Sequence, residues 1–134
     1  MIVDSSVWIE YLRPGASAAG DHLEAMIRSG DRIVVPETVM MELLSGPTDE
    51  TAAAQRRRML EAFEVEPLLP VADSLQAAGL QRACRRAGQT VRSLGGCLIA
   101  AVAIRMDVPV LHRDRGFEVL AAHSSLRTVP LLDS

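Results

Sequence analysis

Short apolar runs alternate with stretches of helical periodicity along the whole chain. Residues 1–4, MIVD, predict a buried strand ending in an acid, and 7–12, VWIEYL, predict a helical turn or two. After a loop at 13–17, Leu23, Met26 and Ile27 recur at i, i+3 and i+4 and mark a helix over 18–29. RIVV, 32–35, predicts a second buried strand. Pro36 then opens a helix through Leu44, stopped by Ser45-Gly46-Pro47. A polar-faced helix follows over 48–63, capped by Thr48 or Asp49. A short strand within 65–69 and a helix over 73–88, ended by Gly88, come next. The following helix runs to about Met106, and its first turn carries Gly95 and Gly96. Each glycine costs about 1 kcal/mol against alanine inside a helix. VPVLHRD, 108–114, predicts a strand that again ends in an acid, 117–123 a short helix and 127–132 a last strand.

Apolar strands that alternate with helices argue for an α/β fold. The expected architecture is a three-layer α/β/α sandwich around a central parallel sheet of four to five strands. Sites in such sheets form beyond the carboxyl ends of the strands. Asp4 and Asp114 both stand there, and they share one crevice if their strands are neighbours. Aspartate is also common at such places as a plain turn or cap residue, so each acid alone carries little weight. On a helical wheel, Val39, Met40, Leu43 and Leu44 form one face, and Glu42 falls outside it beside Thr38. The wheel alone makes Glu42 a solvated glutamate.

Composition narrows the classes. The 134 residues suit one domain over 1–134, and 49% hydrophobic residues exclude a disordered chain. No apolar run approaches the roughly 18 residues of a membrane span, and the N-terminus lacks a signal-peptide pattern. A cytoplasmic protein without a membrane partner is expected. Cys84 and Cys97 lack metal-binding spacing and read as small core residues. The formal net charge of −3 does not announce a nucleic-acid binder, although every basic residue is an arginine. Trp8 reads as a core anchor, His112 as a packed strand residue, and Arg56, Arg57 and Arg58 as surface charge.

Taken together, MIVDSSVWIEYLR, the ELLSG helix end, VRSxxxCLIAAVAIR and VPVLHRDRxFEVLA resemble the PIN-domain ribonucleases. The resemblance is to the VapC-type toxins of bacterial toxin–antitoxin pairs, from Met1 to about Ala122. It implies that Asp4, Glu42 and Asp114 are catalytic and gather around Mg²⁺ or Mn²⁺, with the Ser6 hydroxyl supporting Asp4. Two acids of the family pattern are missing. The aspartate just before Cys97 is Gly96 here, and the acid two residues after Asp114 is Gly116.

The expected function is a metal-dependent endoribonuclease toxin of reduced or lost activity. The alternative is an inactive PIN-domain module that binds RNA or sequesters an antitoxin. A small-ester phosphatase of similar layout has no motif of its own. The resemblance also implies a VapB-type antitoxin, an RNA substrate such as tRNA, and a homodimer. Arg92, Arg113 and Arg115 are candidate RNA contacts, as are Arg85 and Arg86 at the end of the preceding helix. Arginine–phosphate contacts position RNA without reading its sequence.

Overall fold

A computed structural model describes residues 1–132. Its elements are β1 (Ile2–Val3), α1 (Ser5–Leu12), α2 (Ala18–Arg28), β2 (Val34–Pro36), α3 (Glu37–Leu44) and α4 (Glu50–Glu61). They continue with β3 (Glu64–Glu66), α5 (Ala72–Arg86), α6 (Leu94–Met106), β4 (Val110–His112), α7 (Arg115–Ala122) and β5 (Thr128–Pro130). The five strands pair in parallel in the order β3-β2-β1-β4-β5. Helices flank this sheet in the expected three-layer α/β/α arrangement. No helix among the described residues is long and apolar enough to cross a membrane.

The three central strands are buried on both faces. Ile2, Val3, Val34, Val35, Val110 and Leu111 are all fully buried. β1 lies in the middle, with Ile2 opposite Val34 on one side and Val110 on the other. The strand order reverses at β1: β2 and β3 lie to one side, β4 and β5 to the other. A crevice at the carboxyl end of such a switch point is where open parallel sheets bind ligands. Here it lies between the exits of β1 and β4, which end beside Asp4 and Asp114.

Several boundaries move from the sequence expectation. Asp4 leaves β1 and becomes the N-cap of α1, with φ −69° and ψ 156°. Pro36 is the last residue of β2 rather than the first of α3. β3 starts earlier than expected, at Glu64, because pairing with Val34–Pro36 sets its register. Of the two candidate caps of α4, Asp49 is the one used, accepting from the Thr51 N–H. The entrance of α6 is also better made than its glycines suggest. Ser93 caps it, its hydroxyl accepting from the Gly96 N–H at 2.9 Å.

The core expectations hold at Trp8, which is fully buried and meets Tyr11 and Phe63 edge-on at 5.9 and 5.4 Å. Cys84 and Cys97 are free and buried.

Candidate active site

Asp4 is 5% exposed and sits where β1 gives way to α1. Its Oδ2 accepts from the Ser6 N–H at 3.1 Å and from the Ser6 hydroxyl at 2.5 Å. The same hydroxyl accepts from the Arg113 N–H at 3.0 Å. Ser6 therefore supports Asp4 and also ties the exit of β1 to the exit of β4. Burial pushes the Asp4 carboxyl above the usual range. The Ser6 contacts oppose that shift, and the charge of Asp114 adds to it.

Asp114 caps α7, its Oδ1 accepting from the Gly116 N–H at 2.9 Å. Its own N–H donates to Nδ1 of His112 at 3.0 Å. His112 is fully buried, and its Nε2 lies 2.8 Å from Oε2 of Glu118, which also accepts from the Thr128 hydroxyl at 2.6 Å. An acceptor at Nδ1 leaves the proton of a neutral ring on Nε2, facing Glu118. His112 packs as the apolar strand suggested, and it also fixes the backbone beneath Asp114.

Glu42 lies on the solvent side of α3, as the wheel indicated. Its carboxyl nonetheless turns toward the crevice, where Oε1 accepts from the Ser5 hydroxyl at 3.3 Å. Partial enclosure of the carboxyl raises its pKa, and the charges of Asp4 and Asp114 raise it further. The three acids expected from the sequence thus share one electrostatic neighbourhood. Ser5 was missed there: adjacent serines give no signal as to which one reaches across to α3.

The two glycines at the entrance of α6 face different places. A Cβ on Gly95 would stand 3.6 Å from Oε2 of Glu42 and 3.7 Å from Cγ2 of Thr38. Gly96 instead lines a cavity of about 300 Å³ together with Arg92, Asp114, Arg115, Gly116 and Phe117. A Cβ on Gly96 would meet Ser93 at 3.5 Å and Phe117 at 4.0 Å, both ordinary contacts. One on Gly116 would press on Oδ1 of Asp114 at 3.2 Å. Room for a side chain at 96 is open, and Ser93 holds that turn in place without one.

Oxygen donors of this kind suit Mg²⁺ or Mn²⁺. The number of donors does not: among the described residues no group of three or more His, Cys, Asp or Glu converges closely enough to hold a metal ion. Oδ2 of Asp4 and Oδ1 of Asp114 are also engaged within the protein. Of the arginines expected near RNA, Arg113 is drawn aside, with Nη1 2.7 Å from Oε1 of Glu10. Arg92 and Arg115 stay at the cavity wall.

The PIN domain family model matches residues 1–122. Ribonuclease VapC11 of Mycobacterium tuberculosis is 38% identical over 131 residues, covering 95% of this chain and 96% of that protein. The DNA-bound VapBC of Salmonella typhimurium shares the fold, with a TM-score of 0.77 at 16% identity and 96% of each chain covered. VapBC-5 of Mycobacterium tuberculosis, from a family of toxin–antitoxin systems, has a TM-score of 0.65 at 24% identity, with 97% of each chain covered.

Proposed function

The chain belongs to the PIN-domain family, and from that premise we propose that it is a VapC-type endoribonuclease toxin whose cleavage is reduced or lost. One observation carries this reading: the cavity beside Asp114 is lined by Gly96 and Gly116, with no further carboxylate among the described residues. Hydrolysis of an RNA phosphodiester needs an activated water and relief of the charge that builds on phosphorus. Divalent metal supplies both where enough carboxylates hold it. Asp4, Glu42 and Asp114 are the residues available for that task. Ser6 orients Asp4, Ser5 orients Glu42 and His112 fixes the backbone of Asp114. The incomplete donor set also favours a second reading, in which the chain keeps RNA or antitoxin binding without turnover.

The expected partner is a VapB-type antitoxin, supported by the VapBC assemblies that share this fold. A homodimer is also expected, and Leu75 and Leu94, 67% and 66% exposed, are apolar surface available for it.

RNA cleavage in Mg²⁺ or Mn²⁺ tests the proposal on the parent, Gly96→Asp and Gly96→Asp/Gly116→Asp. The single replacement should raise the rate by about a hundredfold or more, because a misplaced reacting group costs about that much. The double replacement should add less, since position 116 is the more crowded. A parent already as fast as the variants would overturn the reading of the glycines.

A further inference from the structure

The acids and arginines of this chain are unevenly distributed. Seven arginines are neutralised: Arg13 and Arg113 meet Glu10, Arg28 meets Glu24, Arg32 meets Glu64, Arg57 meets Glu61, Arg105 meets Asp73 and Glu66, and Arg127 meets Asp107. No Asp or Glu occurs between Asp73 and Asp107. Apart from Arg56 and Arg58 on α4, the arginines that make no ion pair among the described residues are Arg82, Arg85, Arg86, Arg92 and Arg115.

These five arginines are joined by the fold. Arg82, Arg85 and Arg86 stand at i, i+3 and i+4 on α5, so they share one helical face. All three are exposed and line a common surface groove. Gln81, next to Arg82, donates from Nε2 to the Val91 carbonyl at 2.7 Å and pins the segment carrying Arg92 against α5. Gln89 of the same segment meets Nε2 of His123, just beyond α7, at 2.8 Å. The segment thus bridges α5 to α7, and Arg92 and Arg115 stand at the cavity it borders. The dipole at the end of α5 accounts for Arg85 and Arg86. It does not account for Arg82, for the two cavity arginines or for the missing counter-charges.

We propose that Arg82, Arg85 and Arg86 form a phosphate-binding lane for RNA that leads along α5 to Arg92, Arg115 and the cavity at Gly96. The lane requires no divalent metal, so it holds RNA whether or not the carboxylate site cleaves. A chain with net charge −3 binds a polyanion only where its positive charge is gathered in this way. The proposal rests on RNA being the ligand, as the ribonuclease reading has it.

The test measures binding of a fluorescein-labelled stem-loop RNA by anisotropy, in EDTA and across a salt series. It compares the parent, Arg82→Gln/Arg85→Gln/Arg86→Gln, and a control triple at paired arginines, Arg28→Gln/Arg57→Gln/Arg127→Gln. Circular dichroism verifies that each protein is folded. The lane triple should weaken binding by about tenfold or more and flatten the salt dependence by about 0.7 for each phosphate that is no longer neutralised. The control triple should stay within about twofold of the parent. Equal losses in both triples, no loss in the lane triple, or equal displacement by polyglutamate and by unlabelled RNA would overturn the lane. The two readings fail separately. RNA bound through the lane but left uncut by Gly96→Asp sinks only the nuclease reading. RNA cut by Gly96→Asp while the lane triple binds normally sinks only the lane.

Discussion

Asp4 and Asp73 are both buried, 5% and 2% exposed, and the fold treats them in opposite ways. Asp73 opens α5 and receives Nε and Nη2 of Arg105, both at 2.9 Å, together with the Leu69 N–H at 2.8 Å. Glu66 completes the cluster, 3.0 Å from Nη1 of Arg105. Burial is the largest influence on Asp73 and acts to raise its pKa. The Arg105 contacts and the Leu69 N–H together outweigh it and hold the carboxyl below its usual range. Asp4 has no cation. Its partner is a serine, its neighbours are Glu42 and Asp114, and its carboxyl is held above the usual range. A buried acid with a bidentate arginine is a structural joint. One left with a hydroxyl and two more acids has been kept at a cost to the fold, as functional sites are.

The sharpest way to break this contrast is to remove the cation from the compensated side. Arg105→Met should cost about 3 kcal/mol, the low end for a buried pair because the guanidinium, 28% exposed, still reaches water. Urea denaturation measures it, and a loss well under 1 kcal/mol would mean that Asp73 is not truly buried. On the uncompensated side, Ser6→Ala removes the donor to Asp4 and the acceptor of the Arg113 N–H. It should cost about 1–2 kcal/mol. In an Asp4→Asn background part of that cost should disappear, because the two side chains share one interaction.

Asp4→Asn tests the sign directly. The amide can still accept from Ser6 and carries no charge to desolvate. At neutral pH it should stabilise the fold by about 1 kcal/mol, a typical gain from relieving a functional site. A pKa raised on folding penalises the native state at high pH, and the penalty fades as pH falls through the raised value. The advantage of Asp4→Asn should therefore close on acidification and vanish below the ordinary carboxylate range. An advantage that grew on acidification would place the Asp4 pKa on the wrong side of normal.

Only the uncompensated side of this contrast was legible in the sequence. Asp4 and Asp114 could be located because a strand end is a fixed address: short apolar runs mark it, and the acid follows. That β1 and β4 are neighbours required the strand order, which neither run encodes alone. The wheel placed Glu42 correctly in solvent but could not show its carboxyl turning over Ser5, a contact across 37 positions of chain. Ser93 shows the opposite failure. The cost of Gly95 and Gly96 in the first turn is offset by the serine just before Leu94, which caps the helix locally. The Arg105–Asp73 joint was not foreseen, because a charge inside an otherwise apolar helix reads as surface until its partner is known.

Ser5→Ala is the smallest perturbation and the most specific. Stability should change by less than about 0.5 kcal/mol, because the hydroxyl meets Glu42 at a long 3.3 Å and the glutamate stands largely in water. The readout is the titration of the Glu42 carboxyl followed by NMR. In the parent its pKa should lie above the usual range, from partial enclosure of the carboxyl and the charges of Asp4 and Asp114. Loss of the Ser5 donor should raise it further, whereas Asp4→Asn should lower it by removing a like charge. Glu64 is the built-in reference: it is also exposed, but Arg32 meets it at 2.7 Å and holds it below the usual range. If Glu42 titrated like Glu64 and ignored Asp4→Asn, the acids would not share a crevice. The contrast with Asp73 would then reduce to a difference in burial.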